Sequence, residues 1–113
     1  MTWFRLDDAF HGHPKVRRAG NAAVGLWVRC ATYSAQYDLD GRIPADVAES
    51  YGRPREIDAV TSSGLWVANG SGFVIPDYLD FNYSAEEVRD MRAKRAEAGR
   101  KGGLASGQKR SKP

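Results

Sequence analysis

Arginine and lysine are the residues that hold phosphate, and the last quarter of this 113-residue sequence is crowded with them. Arg89, Arg92, Lys94, Arg95, Arg100, Lys101, Lys109, Arg110 and Lys112 follow one another with few interruptions. From Met91 onward eight cations face one acid, Glu97, a net +7; residues 1–90 carry nine cations against thirteen acids, a net −4; the two sum to the chain's +3. A charge run is often only a solvated face. This one is long, almost unmixed and studded with Gly99, Gly102, Gly103 and Gly107, so it is expected to hold a polyanion, tracking a groove or wrapping a backbone.

A second set of polar residues lies nearer the middle. Arg53 and Arg55 flank Pro54 at the start of a short helix, where a guanidinium either meets guanine or phosphate or caps and solvates a corner. Glu56 and Asp58 on the same helix oppose the first reading. Thr61 and Ser62, with Ser63, are either phosphate donors or helix-end polar residues, and Asn69 and Ser71 either touch a phosphate or simply build a turn.

Other chemistry finds little to work with. Cys30 is the only cysteine, so an internal disulfide is excluded, and a small core residue in a reducing cytosol is the expected role. His11 and His13 have only Asp7 and Asp8 near them and read as loop residues, with no metal expected. Gly99–Gly103 lacks the spacing, the following Ser or Thr and the preceding strand of a phosphate loop, and no Ser/His/Asp set or buried carboxylate pair can be assembled. Neither catalytic residues nor a cofactor are expected, and the chain does not read as an enzyme. The longest apolar stretch, residues 22–28, is too short for a bilayer and no signal pattern opens the chain, so a soluble protein of the cytosol is expected, with no membrane partner.

These residues need a scaffold, and 42% hydrophobic residues over this length provide one small core. Ala23, Leu26, Trp27, Cys30, Ser34 and Tyr37 recur at steps of three and four and predict the core face of a long helix. Asp40-Gly41 predicts a turn, Arg42-Ile43 a very short strand, and Pro44 the start of a short helix ended by Gly52. Pro54 opens a second short helix that ends at Gly64. Residues 65–69 and 72–75, separated by Gly70-Ser71, predict a β-hairpin. Ser84 and Glu87 form a capping box for a basic helix over 84–98, after which the glycines are expected to leave a flexible tail, 99–113.

Long helix, short strand, two helices at a tight corner and a hairpin is the order of a winged helix-turn-helix, an α+β fold, although a generic α+β domain shows the same list. Phe10-x-x-His13-Pro14-Lys15-Val16, Gly25-Leu26-Trp27-Val28, Asp40-Gly41-Arg42-Ile43-Pro44, Gly64-Leu65-Trp66 and Gly72-Phe73-Val74-Ile75-x-Asp77-Tyr78-Leu79, with Asn82, carry a further signal. Over about residues 3–100 this ordered set resembles actinobacterial and actinophage helix-turn-helix proteins of the replication-initiation (replisome-organiser) type. That resemblance implies an amino-terminal winged-helix domain, placed at 1–83, and a phage or bacterial replication-initiation or regulatory role on double-stranded DNA. The family's hairpin strand commonly has His where this chain has Pro76; proline removes a ladder donor, so the strand should end there or lie at an edge. The alternatives are a protein-interaction module that binds host or phage replication machinery, with the tail as a nucleic-acid anchor, and an RNA-binding accessory protein. The tail alone does not distinguish DNA from RNA.

Overall fold

Three prolines, Pro14, Pro44 and Pro54, stand at helix starts. A computed structural model describes residues 3–110, with side chains through Gly103. After a 3-10 turn at Phe10–Gly12, helix α1 spans Pro14–Ala19 with proline in its first turn. His13 caps it, its Nδ1 accepting the Lys15 N–H at 3.2 Å. Helix α2 (Asn21–Gln36) leads to strand β1 (Arg42–Pro44), then to α3 (Ala45–Tyr51), capped by Pro44, and α4 (Pro54–Ser62). Strands β2 (Val67–Ala68) and β3 (Gly72–Val74), the short helix α5 (Tyr78–Phe81) and the long helix α6 (Ala85–Arg110) follow. The protein is thus mixed helix with a small three-stranded antiparallel sheet, ordered β1-β3-β2.

Registers are fixed by the pairs Ile43 with Phe73 and Ala68 with Phe73, which put one aromatic side chain between both neighbours of the central strand. Gly72 pairs with Pro44, and a Cβ there would strike the Ile43 carbonyl, so glycine is what lets β1 approach. Gly70, at φ +91°, turns the hairpin. β3 ends at Val74, before Pro76, as the missing donor requires.

The core forms where α2 crosses α4 and α3. Leu26, Trp27, Cys30 and Ala31 of α2 meet Ile43, Ala48, Val60, Trp66 and Ile75, all buried. Phe10 and Phe4 close over Trp27 at centroid distances of 4.9 and 5.8 Å. Burial pushes the Cys30 thiol up to about 11 despite the opposing charge of Arg29, so at neutral pH it is a packed hydrophobe.

Three expectations are corrected. Tyr37 is 56% exposed, because α2 ends at Gln36 and the chain leaves helical period there; Ala31 and Ala35 fill the inner face instead. Leu65 and Trp66 are not strand residues but buried core, held by the Trp66 N–H on the Val60 carbonyl at 3.2 Å, which leaves β2 only two residues. α6 does not end at Ala98; its helical backbone runs through Gly99, Gly102, Gly103 and Gly107 to Arg110. Glycine costs a helix only about 1 kcal/mol per residue and removes no backbone donor.

Candidate nucleic-acid interface

Two regions carry the polar residues singled out above, and the first is α6. Its start is held by the turn between α2 and β1. Ser84 Oγ accepts the Glu87 N–H and Glu87 Oε1 accepts the Ser84 N–H, both at 3.2 Å, the reciprocal capping box. Asp40 Oδ1 accepts the Ala85 N–H at 2.6 Å, placing a carboxylate at the positive end of the helix. Two turns further, Arg92 Nη1 pairs with Asp38 Oδ2 at 2.9 Å, and between them Val88 is buried. Asp38 and Asp40 both adopt positive φ, 57° and 56°, and Gly41 follows at 87°, so the turn is wound tightly enough to present both carboxylates to α6. The Gly41 N–H is received by the buried Ser34 Oγ at 2.9 Å, which locks the turn to α2.

Beyond this anchorage the helix is polar on every side, and each described side chain from Arg92 to Gly103 is exposed. With 3.6 residues per turn, Arg89 and Arg100 lie about 100–120° around the axis from the buried Val88, and Lys94 and Lys101 about 120–140° from it on the opposite side. Asp90 and Glu97 form the ridge between those two cationic flanks. Glu97 accepts from Arg100 at 2.6 Å, an i,i+3 pair that steadies one flank without neutralising the other. Of the predicted phosphate contacts, Arg89, Lys94, Arg100 and Lys101 therefore point away from the body. Arg92 and Arg95 lie on the body-facing side. The side chains of Lys109 and Arg110, and all of Lys112, lie outside the described residues.

The second region is the α3–α4 corner with the hairpin. Arg53 and Arg55 are exposed, and so are Asp58 and Ser62. Glu56 bends back so that its Oε1 accepts the Arg53 N–H at 2.8 Å, which explains an acid in this position: it caps α4. The Thr61 hydroxyl donates to the Ile57 carbonyl at 2.8 Å and the Ser63 hydroxyl to that of Val60 at 3.0 Å, so both are committed within the helix. Asn69 Oδ1 accepts the Ser71 N–H and hydroxyl at 3.3 and 3.4 Å; these two residues build the hairpin turn. Residues 45–63 hold Asp46, Glu49, Glu56 and Asp58 against Arg53 and Arg55, a net −2.

Cations outside the predicted set border that corner. Arg29 lies over the Tyr51 ring at 4.1 Å, and Arg18 Nη2 donates to the Ser63 carbonyl at 3.3 Å, both joining α4's surroundings to neighbouring helices. The local signal was present: α1 reads Pro-Lys-Val-Arg-Arg-Ala, three cations and no acid in six residues.

Among the described residues no group of three or more His, Cys, Asp or Glu could hold a metal ion, and no helix is long and apolar enough to cross a membrane. No protein-family model, curated protein or solved structure matches the chain.

Proposed function

We propose that this protein binds nucleic acid, with double-stranded DNA as the ligand of α6. The observation that carries the reading is the projection of a basic helix from the body with cations on two flanks. A helix about 10–12 Å across fits a major groove about 12 Å wide, whose walls are lines of phosphate. Cations on both flanks then face both walls, while a flat anionic surface would use only one flank. Phosphate neutralisation supplies affinity, and Asp90 on the intervening ridge faces the groove floor, where a carboxylate accepts from the amino group of cytosine.

The order of elements and the β1-β3-β2 sheet favour reading the body as a winged helix, with β2 and β3 as the wing and α4 as the helix beside the duplex. In that reading Arg53 and Arg55 approach bases or phosphate from the corner, with the α1 cations alongside. Replication initiation or regulation on DNA, in a phage or bacterial setting, is the role consistent with the sequence resemblance.

The test is duplex binding followed across a range of salt concentrations, for the native protein and for a variant with Arg89, Lys94, Arg100 and Lys101 all changed to alanine. Each phosphate released from its counterions contributes about 0.9 to the slope of log affinity against log salt, so the slope should become shallower by about three to four. An unchanged slope would remove α6 from the interface. A second reading, a protein-interaction module, draws on the net −2 of the α3–α4 corner, a charge that suits a basic protein surface better than DNA.

A further inference from the structure

The body-facing side of α6 is not packed flat against the body. Between its first turns and the amino-terminal segment lies a groove of ≈ 290 Å³. The segment is clamped to the start of α6's approach by a reciprocal pair of bonds: Arg5 N–H to Asn82 Oδ1 at 2.7 Å, and Asn82 Nδ2 to the Arg5 carbonyl at 3.3 Å. Arg5 then lays its guanidinium 4.5 Å from the centre of the Tyr83 ring and donates to the Tyr83 hydroxyl at 2.6 Å. Val88 and Met91 make the floor, Arg92 and Arg95 the α6 wall, and Trp3 the lip.

Trp3 is 79% exposed, whereas Trp27 and Trp66 are 5% and 1% exposed. An indole left in water beside three guanidinium groups and an apolar floor has the parts of a stacking platform: a π face for a base and cations for the phosphates on either side of it. Arg92 is paired to Asp38, and Asp38 and Asp40 border the neighbouring hollow behind Trp3. A paired duplex keeps its bases stacked on each other and offers no free face to an indole. An unpaired strand does.

We infer that this groove binds single-stranded DNA, one base stacking on Trp3 with its backbone running along the Arg92 and Arg95 wall. The inference rests on nucleic acid being the ligand of α6 and extends it: the outer flanks of the helix hold duplex, and the inner side takes an unpaired stretch. Such a protein is suited to the junction between the two.

Tryptophan fluorescence tests this directly, because Trp3 is the exposed indole. An oligothymidylate long enough to cover one site should quench the emission of the full chain, and heparin, a polyanion without bases, should not. Trp3→Ala should weaken oligothymidylate binding by about 5- to 150-fold, the range of one lost base–aromatic stack. It should leave duplex affinity and the melting temperature as they are, since the side chain is exposed. Trp3→Phe keeps a π face and should recover most of the affinity, read by anisotropy of a labelled strand. Oligothymidylate binding to Trp3→Ala at native strength, or equal quenching by heparin, overturns the inference while leaving duplex binding by α6 standing. Preference for oligouridylate alone overturns the assignment to DNA. Quenching by oligothymidylate without any duplex binding supports the groove and counts against the outer flanks.

Discussion

Helix α4 and helix α6 use charged residues in opposite ways. In α4, nine residues long, Val60 is buried and Ile57 packs against the core, Glu56 caps the helix start and the Thr61 hydroxyl returns to the backbone. Glu56 and Thr61 are spent on making the helix. In α6, twenty-six residues long, the first two turns are anchored by Ser84, Glu87, Asp40, Asp38 and Val88, and the described side chains beyond them are exposed. A helix polar all round has no face to bury, so packing does not explain its composition. The lesson is that the segment resembling a DNA-reading element by its place in the chain has the weaker electrostatic claim, and the appendage has the stronger one.

The acids of the body sharpen the contrast. An acidic body beside a basic helix invites the helix to fold back on it, yet Asp38 and Asp40 meet α6 at its base and hold its axis outward. Part of the −4 of residues 1–90 thus works as a bracket, and Lys94 and Lys101 past it are exposed.

Removing the far part of α6 makes the largest test of this division. Truncation after Ala98 deletes Arg100, Lys101, Lys109, Arg110 and Lys112, and the duplex salt slope should become shallower by about four. Thermal unfolding of the body should be unchanged, because the core residues lie between Val16 and Val88. A lowered melting temperature with an unaltered salt slope would invert the assignment, making α6 structural. The converse experiment is Trp27→Ala, which empties the centre of the core and should cost about 3–5 kcal/mol in denaturant unfolding. Near-native stability of that variant would mean the body does not rest on the α2–α4 contact.

How much of this was legible in the sequence follows the range of the interactions. Pro44, Pro54, Asp40-Gly41, Gly70 and the Ser84–Glu87 box each act over a few residues, and each was readable because the chemistry that needs them is local. Asp38 with Arg92 and Asp40 with Ala85 join positions 54 and 45 apart, and Arg5 with Asn82 joins positions 77 apart. Nothing in the period or composition of either partner announces such a pairing. Tyr37 failed for a related reason: its spacing continued a helical stripe that the backbone had already left. The basic residues of α6 were visible from composition, but their division between an inner wall and two outer flanks required knowing that the helix continues past its glycines.

A smaller effect is expected at the corner. Arg53→Ala and Arg55→Ala should each reduce discrimination between target and random duplex by about 1–3 kcal/mol if a bidentate base contact is lost, with little change in affinity for random sequence. Unchanged discrimination in both variants assigns the corner to a protein partner, in line with its net −2. The same variants should then weaken binding to that partner, which pull-down with the intact body alone would reveal.

The smallest effect lies at the bracket itself. Asp38 and Arg92 form a partly exposed pair, and such pairs contribute about 0.2–1 kcal/mol by double-mutant cycle. Asp38→Asn is the informative change, because asparagine tolerates the positive φ of this position and keeps the shape of the side chain while losing its charge. Stability should fall within that range. Oligothymidylate affinity, however, should rise: Arg92, on the inner wall and no longer neutralised by its carboxylate, becomes fully available to the phosphate of an unpaired strand, and the salt slope for that ligand should steepen by up to about 0.7. Arg92→Ala, which removes the cation as well, should give the same loss of stability with no gain in affinity. A fall in oligothymidylate affinity for Asp38→Asn would show that the bracket's main service is to aim α6, and that its angle to the body contributes more to binding than one further charge.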